Sequence, residues 1–189
     1  MRRQELIRRA TLSVFAAILL VVPANFYGRS SPSADPKVEV NGFFSADKAQ
    51  RGRTVQAAIV MDIPEGLHVN ANKPLSKFAV PTTLKVETRG GIKIGPVSYP
   101  RAIVRRFSFS NDRLAVYEGK AVLRFNVNIP ANQEVGLTEL RARLRFQSCT
   151  DEVCFPPTIR EITMPILIVG ANESVKRING HLFGGGRRR

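Results

Sequence analysis

A chain of 189 residues with 43% hydrophobic content and a net charge of +14 is long enough for one folded domain with a core and tails, and too short for several. The charge would point to nucleic acid only if the fold carried it, yet Val38 to Val169 holds 18 Lys or Arg against 12 Asp or Glu, a net of +6, so more than half sits in the tails and no nucleic-acid partner is expected. With two histidines, two cysteines and no Gly-rich phosphate loop, a histidine zinc centre, a Ser/His/Asp triad or a nucleotide site has little to be built from, and neither cofactor nor metal is expected.

The first 24 residues follow the plan of a secretory signal. Arg2, Arg3, Arg8 and Arg9 form a positive start, and Ala10 to Val22 is a run of 13 mostly apolar residues, short for a bilayer crossing. Val22-Pro23-Ala24 suits a cut after Ala24, an uncleaved anchor being the alternative; only this leader would touch the membrane. Residues 25–37 are rich in Ser and Pro and read as a linker. The domain is expected over 38–169, and the Gly-rich basic stretch 170–189 as a flexible tail.

Within 38–169, short β-rich runs recur between turn signals: Thr54 to Ile63, Leu67 to Asn70, Thr82 to Glu87, Ile92 to Val97, Lys120 to Ile129, Leu140 to Gln147 and Thr158 to Val169. No helical period is evident. The punctuation at Pro64-Glu65-Gly66, Arg89-Gly90-Gly91 and Asn128-Ile129-Pro130 predicts an all-β, antiparallel sandwich of about seven strands. In the clearest strand, Leu140, Ala142, Leu144 and Phe146 alternate with Arg141, Arg143 and Arg145, the signature of one core face and one wet face.

That strand runs into Ser148-Cys149-Thr150-Asp151-Glu152-Val153-Cys154-Phe155-Pro156-Pro157, so the two cysteines flank a hairpin-like turn. Facing residues of an antiparallel pair lie about 4.5 to 5.5 Å apart at Cα, within the reach of a disulfide. As a clamp the bond would close a ring of only six residues, worth about 2 kcal/mol in chain entropy. Pro156 and Pro157 remove two backbone donors and confine the segment to an edge, bulge or loop, placing Cys154 near an accessible rim. Asp151 and Glu152 disfavour a thiolate and make the pair dependent on a docked partner. On the residues alone redox exchange, a structural clamp in a non-catalytic binding module, and metal capture by the thiols all stay open.

The stretches FQSCTDEVCFPPTIREITMPI, GLHVNANKP and YPRAIVRRFSFSNDRLAVYEGKAVLRF resemble the N-terminal periplasmic domain of DsbD and the related disulfide bond corrector family, over roughly Val38 to Val169. The resemblance implies an immunoglobulin-like sandwich, a protein thiol-disulfide oxidoreductase in the periplasm, and electron transfer from a thioredoxin-like or membrane reductase to disulfide isomerases and cytochrome c maturation proteins. Its partners would be thioredoxin-fold proteins, and a monomer is expected. Cys154 would form the mixed disulfide and Cys149 would resolve it. A cap loop bearing a Phe would shield the pair; the matching region is Arg105 to Arg113, with Phe109 the first candidate and Phe107 the second, the alternative being that both point into the core from one strand face. His68, Asp151, Glu152, Phe155 and Pro156 would shape the site. The turn is C-x4-C, one residue shorter than in the best-known DsbD. The membrane and C-terminal thioredoxin-like domains of that protein have no counterpart in these 189 residues, so electrons are expected from a separate protein.

Overall fold

The computed structural model describes residues 37–184; the expected leader, residues 25–36 of the linker and the last five residues lie outside them. In chain order the strands are β1 (Glu39–Phe44), β2 (Lys48–Gln50), β3 (Thr54–Ile63), β4 (His68–Asn70), β5 (Thr83–Glu87), β6 (Lys93–Ile94) and β7 (Ile103–Arg105). They continue with β8 (Leu114–Tyr117), β9 (Gly119–Asn128), β10 (Gly136–Phe146), β11 (Ser148–Cys149) and β12 (Thr158–Val169), and a single helical turn, α1 (Gly180–Phe183), follows.

The strands form three four-stranded sheets, ordered β1-β3-β9-β6, β2-β12-β10-β5 and β11-β4-β8-β7. Every pairing is antiparallel except that of β12 with β2. The first two sheets supply most of the core: Val55, Ala57, Ile59, Met61 and Ile63 of β3 and Ala121, Leu123, Phe125 and Val127 of β9 join Leu140, Ala142, Leu144 and Phe146 of β10 and Met164, Ile166 and Ile168 of β12, with Val69, Ala115 and Tyr117 added from the third sheet. The period-2 pattern does this, since alternate side chains of a strand share a face. The result is the immunoglobulin-like β-sandwich anticipated from sequence. Arg141, Arg143 and Arg145 lie exposed on the outer face of β10.

Two elements differ from expectation in instructive ways. The run Ile92 to Val97 contributes only Lys93–Ile94 as strand, because Pro96 has no N–H to give; Gly95 and Ser98 on either side donate to the carbonyls of Asn126 and Arg124 at 2.8 and 2.7 Å. And the segment after Val169, expected as a flexible tail, is bound to the sandwich as far as residue 184. Asp47 N–H donates to the Lys176 carbonyl at 3.1 Å, Ile178 N–H to the Ser45 carbonyl at 3.0 Å, Lys176 N–H to the Asp47 carboxylate at 2.8 Å, and Arg124 Nε–H to the Leu182 carbonyl. The physical reason lies in β3. Its run Ala57 to Met61 is buried on both faces, α1 lies against it, and the buried side chain of Leu182 helps close the outer side.

The third sheet is the one that matters for chemistry: it contains one cysteine, the expected site histidine and the strands that flank the Phe107 loop.

Candidate functional site: a buried and an open sulfur

β10 ends at Phe146, and after Gln147 the chain enters β11, turns over Thr150 to Val153 and returns at Cys154. Thr150 makes the turn: its Oγ1 accepts from the amides of Glu152 and Val153 at 3.2 and 3.1 Å, the side-chain capping that Thr supplies in tight turns. Thr150 N–H donates to the Val153 carbonyl at 2.8 Å and Phe155 N–H to the Ser148 carbonyl at 2.9 Å. Those bonds bracket Cys149 and Cys154, making them a non-hydrogen-bonded antiparallel pair, the narrower of the two kinds. Accordingly their Cα atoms are 4.0 Å apart and the disulfide is formed.

On its other edge Cys149 is paired with His68 of β4. The register of β4 starts from a turn in which Leu67 N–H donates to the Pro64 carbonyl at 3.1 Å, with Gly66 at φ 80°, a backbone angle that only Gly adopts freely. Directly opposed residues of a sheet share a face. His68, Cys149 and Cys154 therefore form a row, from a 2% exposed imidazole through a fully buried sulfur-bearing residue to a half-buried one. The two sulfurs differ in access: Cys149 is enclosed, whereas Cys154 lines a cavity of about 480 Å³ shared with Asn70, Phe78, Phe109 and Gln147.

Phe107 and Phe109 lie beyond the end of β7, so they do not project from one strand face into the main core. Phe107, 8% exposed, packs with Leu114 and Val116 in a separate small cluster that Phe109 joins. Its ring stacks on His68 with centroids 3.9 Å apart and planes at 16°; Phe109 follows at 5.5 Å from Phe107. Of the two, Phe107 is the anchor and Phe109 the residue that reaches the Cys154 cavity.

Burial pushes the His68 pKa below its ordinary 6.5; Asp151 opposes this and Arg105 reinforces it. Arg105 is itself bound to Glu118 at 2.9 Å. Asp151 and Glu152 are exposed in the turn, and Phe155 and Pro156 are exposed after it. With Leu75, Phe78 and Val153, Phe155 is among the exposed large apolar side chains. Among the described residues no group of three or more His, Cys, Asp or Glu is placed to hold a metal.

Three contributors escaped the sequence. Ser108 Oγ–H donates to the Asp151 carbonyl at 2.7 Å, tying the Phe107 loop to the cysteine turn. The Gln147 carbonyl oxygen accepts from Asn70 Nδ2 at 3.0 Å and from Val80 N–H at 3.3 Å, and its Nε2 donates to the Phe155 carbonyl at 3.0 Å, so one amide joins both sides of the site. Tyr117 O–H donates to Asn72 Oδ1 at 2.7 Å, fixing the GLHVNANKP segment. A polar Gln closing an alternating strand was the only visible signal among them.

A family model described as thiol:disulfide interchange protein DsbD, N-terminal, matches residues 39–165. No curated protein matches. Solved structures similar to this chain include the N-terminal domain of DsbD from Neisseria meningitidis in the reduced form, at 16% identity and TM-score 0.42, covering 73% of this chain and 88% of that one. The N-terminal periplasmic domain of ScsB from Proteus mirabilis gives 14% identity and TM-score 0.48, covering 76% of this chain and half of that one. A type I cohesin from Pseudobacteroides cellulosolvens gives 10% and 0.41, covering 69% and 92%.

Proposed function

From the premise that the chain belongs to the family of the DsbD N-terminal domain, we propose that it is a thiol:disulfide interchange protein of the periplasm, exported by its first 24 residues. Reducing equivalents pass through Cys149 and Cys154 from a thioredoxin-like or membrane reductase to periplasmic disulfide isomerases or cytochrome c maturation proteins. The observation that carries the reading is the unequal access of two joined sulfurs, Cys149 fully buried and Cys154 opening onto a cavity.

In the reduced protein, Cys154 attacks one sulfur of a partner disulfide; a mixed disulfide forms and the partner's other sulfur leaves as a thiolate. Cys149 then attacks the Cys154 sulfur, restoring the internal disulfide and releasing the partner's second sulfur. Two electrons pass to the partner. The reductase reverses the sequence. Phe107 and Phe109 form the cap that keeps small oxidants from the pair, and partner docking displaces it. Apolar Phe78, Val153 and Phe155, all exposed, give a thioredoxin-fold partner a dry surface against which to exclude water.

Trapping tests this. Cys149→Ser in the exported protein leaves Cys154 unable to be released, so covalent adducts with a few thioredoxin-fold proteins are expected. Cys154→Ser should give none, because its remaining thiol is enclosed. No adduct from the first variant, or equal adducts from both, would overturn the proposal and leave a hairpin clamp.

A further inference from the structure

His68 Nε2 is buried and has no hydrogen-bond partner in the disulfide form. Burying a polar atom without a partner is costly, and a redox or catalytic role in another state of the protein is one reason a fold keeps one. The register supplies that use. His68 stands opposite Cys149, with Cβ atoms of such pairs about 4.5 to 5.5 Å apart, and Cys149 carries a proton only when the disulfide is open.

We propose that His68 is the proton acceptor for Cys149, taking the thiol proton when Cys149 resolves a mixed disulfide and returning it when the pair is reduced. This rests on the interchange reading above and names the group that makes its second step work. A fully buried thiol resists ionisation, so resolution needs a base at hand. In the step, Cys149 S–H gives its proton to Nε2 and the thiolate attacks the Cys154 sulfur. The Cys149–Cys154 bond forms as the Cys154–partner bond breaks, and the departing thiolate collects the proton from the imidazolium.

The surroundings suit a base that is neutral before the step. Desolvation lowers the His68 pKa, with Asp151 raising it and Arg105 lowering it; Glu65 and Glu118 line a second cavity with His68, Arg105 and Asp151, separate from the one at Cys154, and Glu118 is engaged by Arg105. Asp151 would face the imidazolium once formed. Phe107, stacked on the ring, holds its orientation.

The test uses the reduced full chain and a small aromatic disulfide, dithiobis(nitrobenzoate), followed by stopped-flow absorbance. The first thionitrobenzoate released reports attack by Cys154 and the second reports resolution by Cys149. Wild type should show a second release that falls as pH drops through imidazole protonation, below about 6.5. His68→Phe and His68→Gln should slow it on the order of 100-fold at pH 7 and move its pH dependence to that of a thiol; because both variants alter the ring stacked on Phe107, the second release is read relative to the first. A second release equal to wild type at every pH in both variants overturns the role of His68. If a variant does not fold, the wild-type profile decides, since a single inflexion at or above about 8.5 contradicts the proposal. The Cys149→Ser trapping above tests the interchange reading separately: adducts there together with a wild-type second release in both His68 variants overturn this step alone, and the absence of adducts there overturns both.

Discussion

Phe107→Ala is the perturbation that most directly probes how the site is closed. The ring is 8% exposed and belongs to the small cluster with Leu114 and Val116, outside the main core, so its loss loosens the loop more than the sandwich. Burying a Phe contributes about 1.5 to 3 kcal/mol, and the stack on His68 adds roughly 0.5 to 1.5 kcal/mol. Taken together the closed loop loses about 2 to 4.5 kcal/mol, and with 1.4 kcal/mol per factor of ten the open population rises about 30- to 1600-fold. Reduction of the disulfide by a small dithiol, followed as exposure of thiols under pseudo-first-order conditions, should accelerate within that range wherever opening limits attack. Ser108→Ala removes only one hydrogen bond to the Asp151 carbonyl, about 0.5 to 1.5 kcal/mol, and should give roughly a 2- to 10-fold acceleration. Equal reduction rates in wild type and Phe107→Ala would refute the idea that this loop guards the sulfurs.

Other expectations concern the supports of the site. Gln147→Leu strands the Asn70 amide and the Val80 N–H that Gln147 accepts from, at about 1 to 3 kcal/mol for each unsatisfied group; thermal unfolding should show a fall in Tm several degrees larger than for Gln147→Glu. His68 titrates below its ordinary value in the fold, so the unfolded chain binds the extra proton first. Its contribution to stability is therefore complete above about pH 6.5 and is lost as pH falls through the folded pKa. Denaturant midpoints between pH 7.5 and 5 should drop more in wild type than in His68→Phe, and parallel curves would contradict the burial argument. Leu182→Ala, in the segment after β12, should cost about 2 to 3 kcal/mol in chemical denaturation, whereas a mobile tail would make it silent.

Much of the fold was legible because its long strands advertise a period. β3 and β12 occur with the bounds their sequence suggests, and the Leu/Arg alternation of β10 is what a half-exposed strand must show. β8 was hidden for the opposite reason: Leu114 to Tyr117 are all buried, so no alternation marks them. β1, β2 and β7 are edge elements, and β2, three residues long, is defined by a partner, β12, far along the chain. The tail misled because composition weighs Gly and charge, while what holds residues 170–184 is backbone pairing to Ser45 and Asp47, side-chain hydrogen bonds of Asp47, Gln50, Arg124 and Asn179 and the buried Leu182. At the site, the cysteine turn could be read from spacing and two prolines, and His68 and the two Phe from resemblance. Ser108 and Gln147 could not, since each acts through one hydrogen bond or a few between segments that only folding brings together.

The reduction potential of the Cys149–Cys154 pair, measured by equilibrating the full chain with a defined dithiol/disulfide buffer and counting free thiols, separates an exchange-active pair from a staple. Electron exchange through the pair requires a value within the range of exchange-active proteins, about −270 to −120 mV. A pair that stays oxidised to below about −300 mV would be a structural staple and would contradict it.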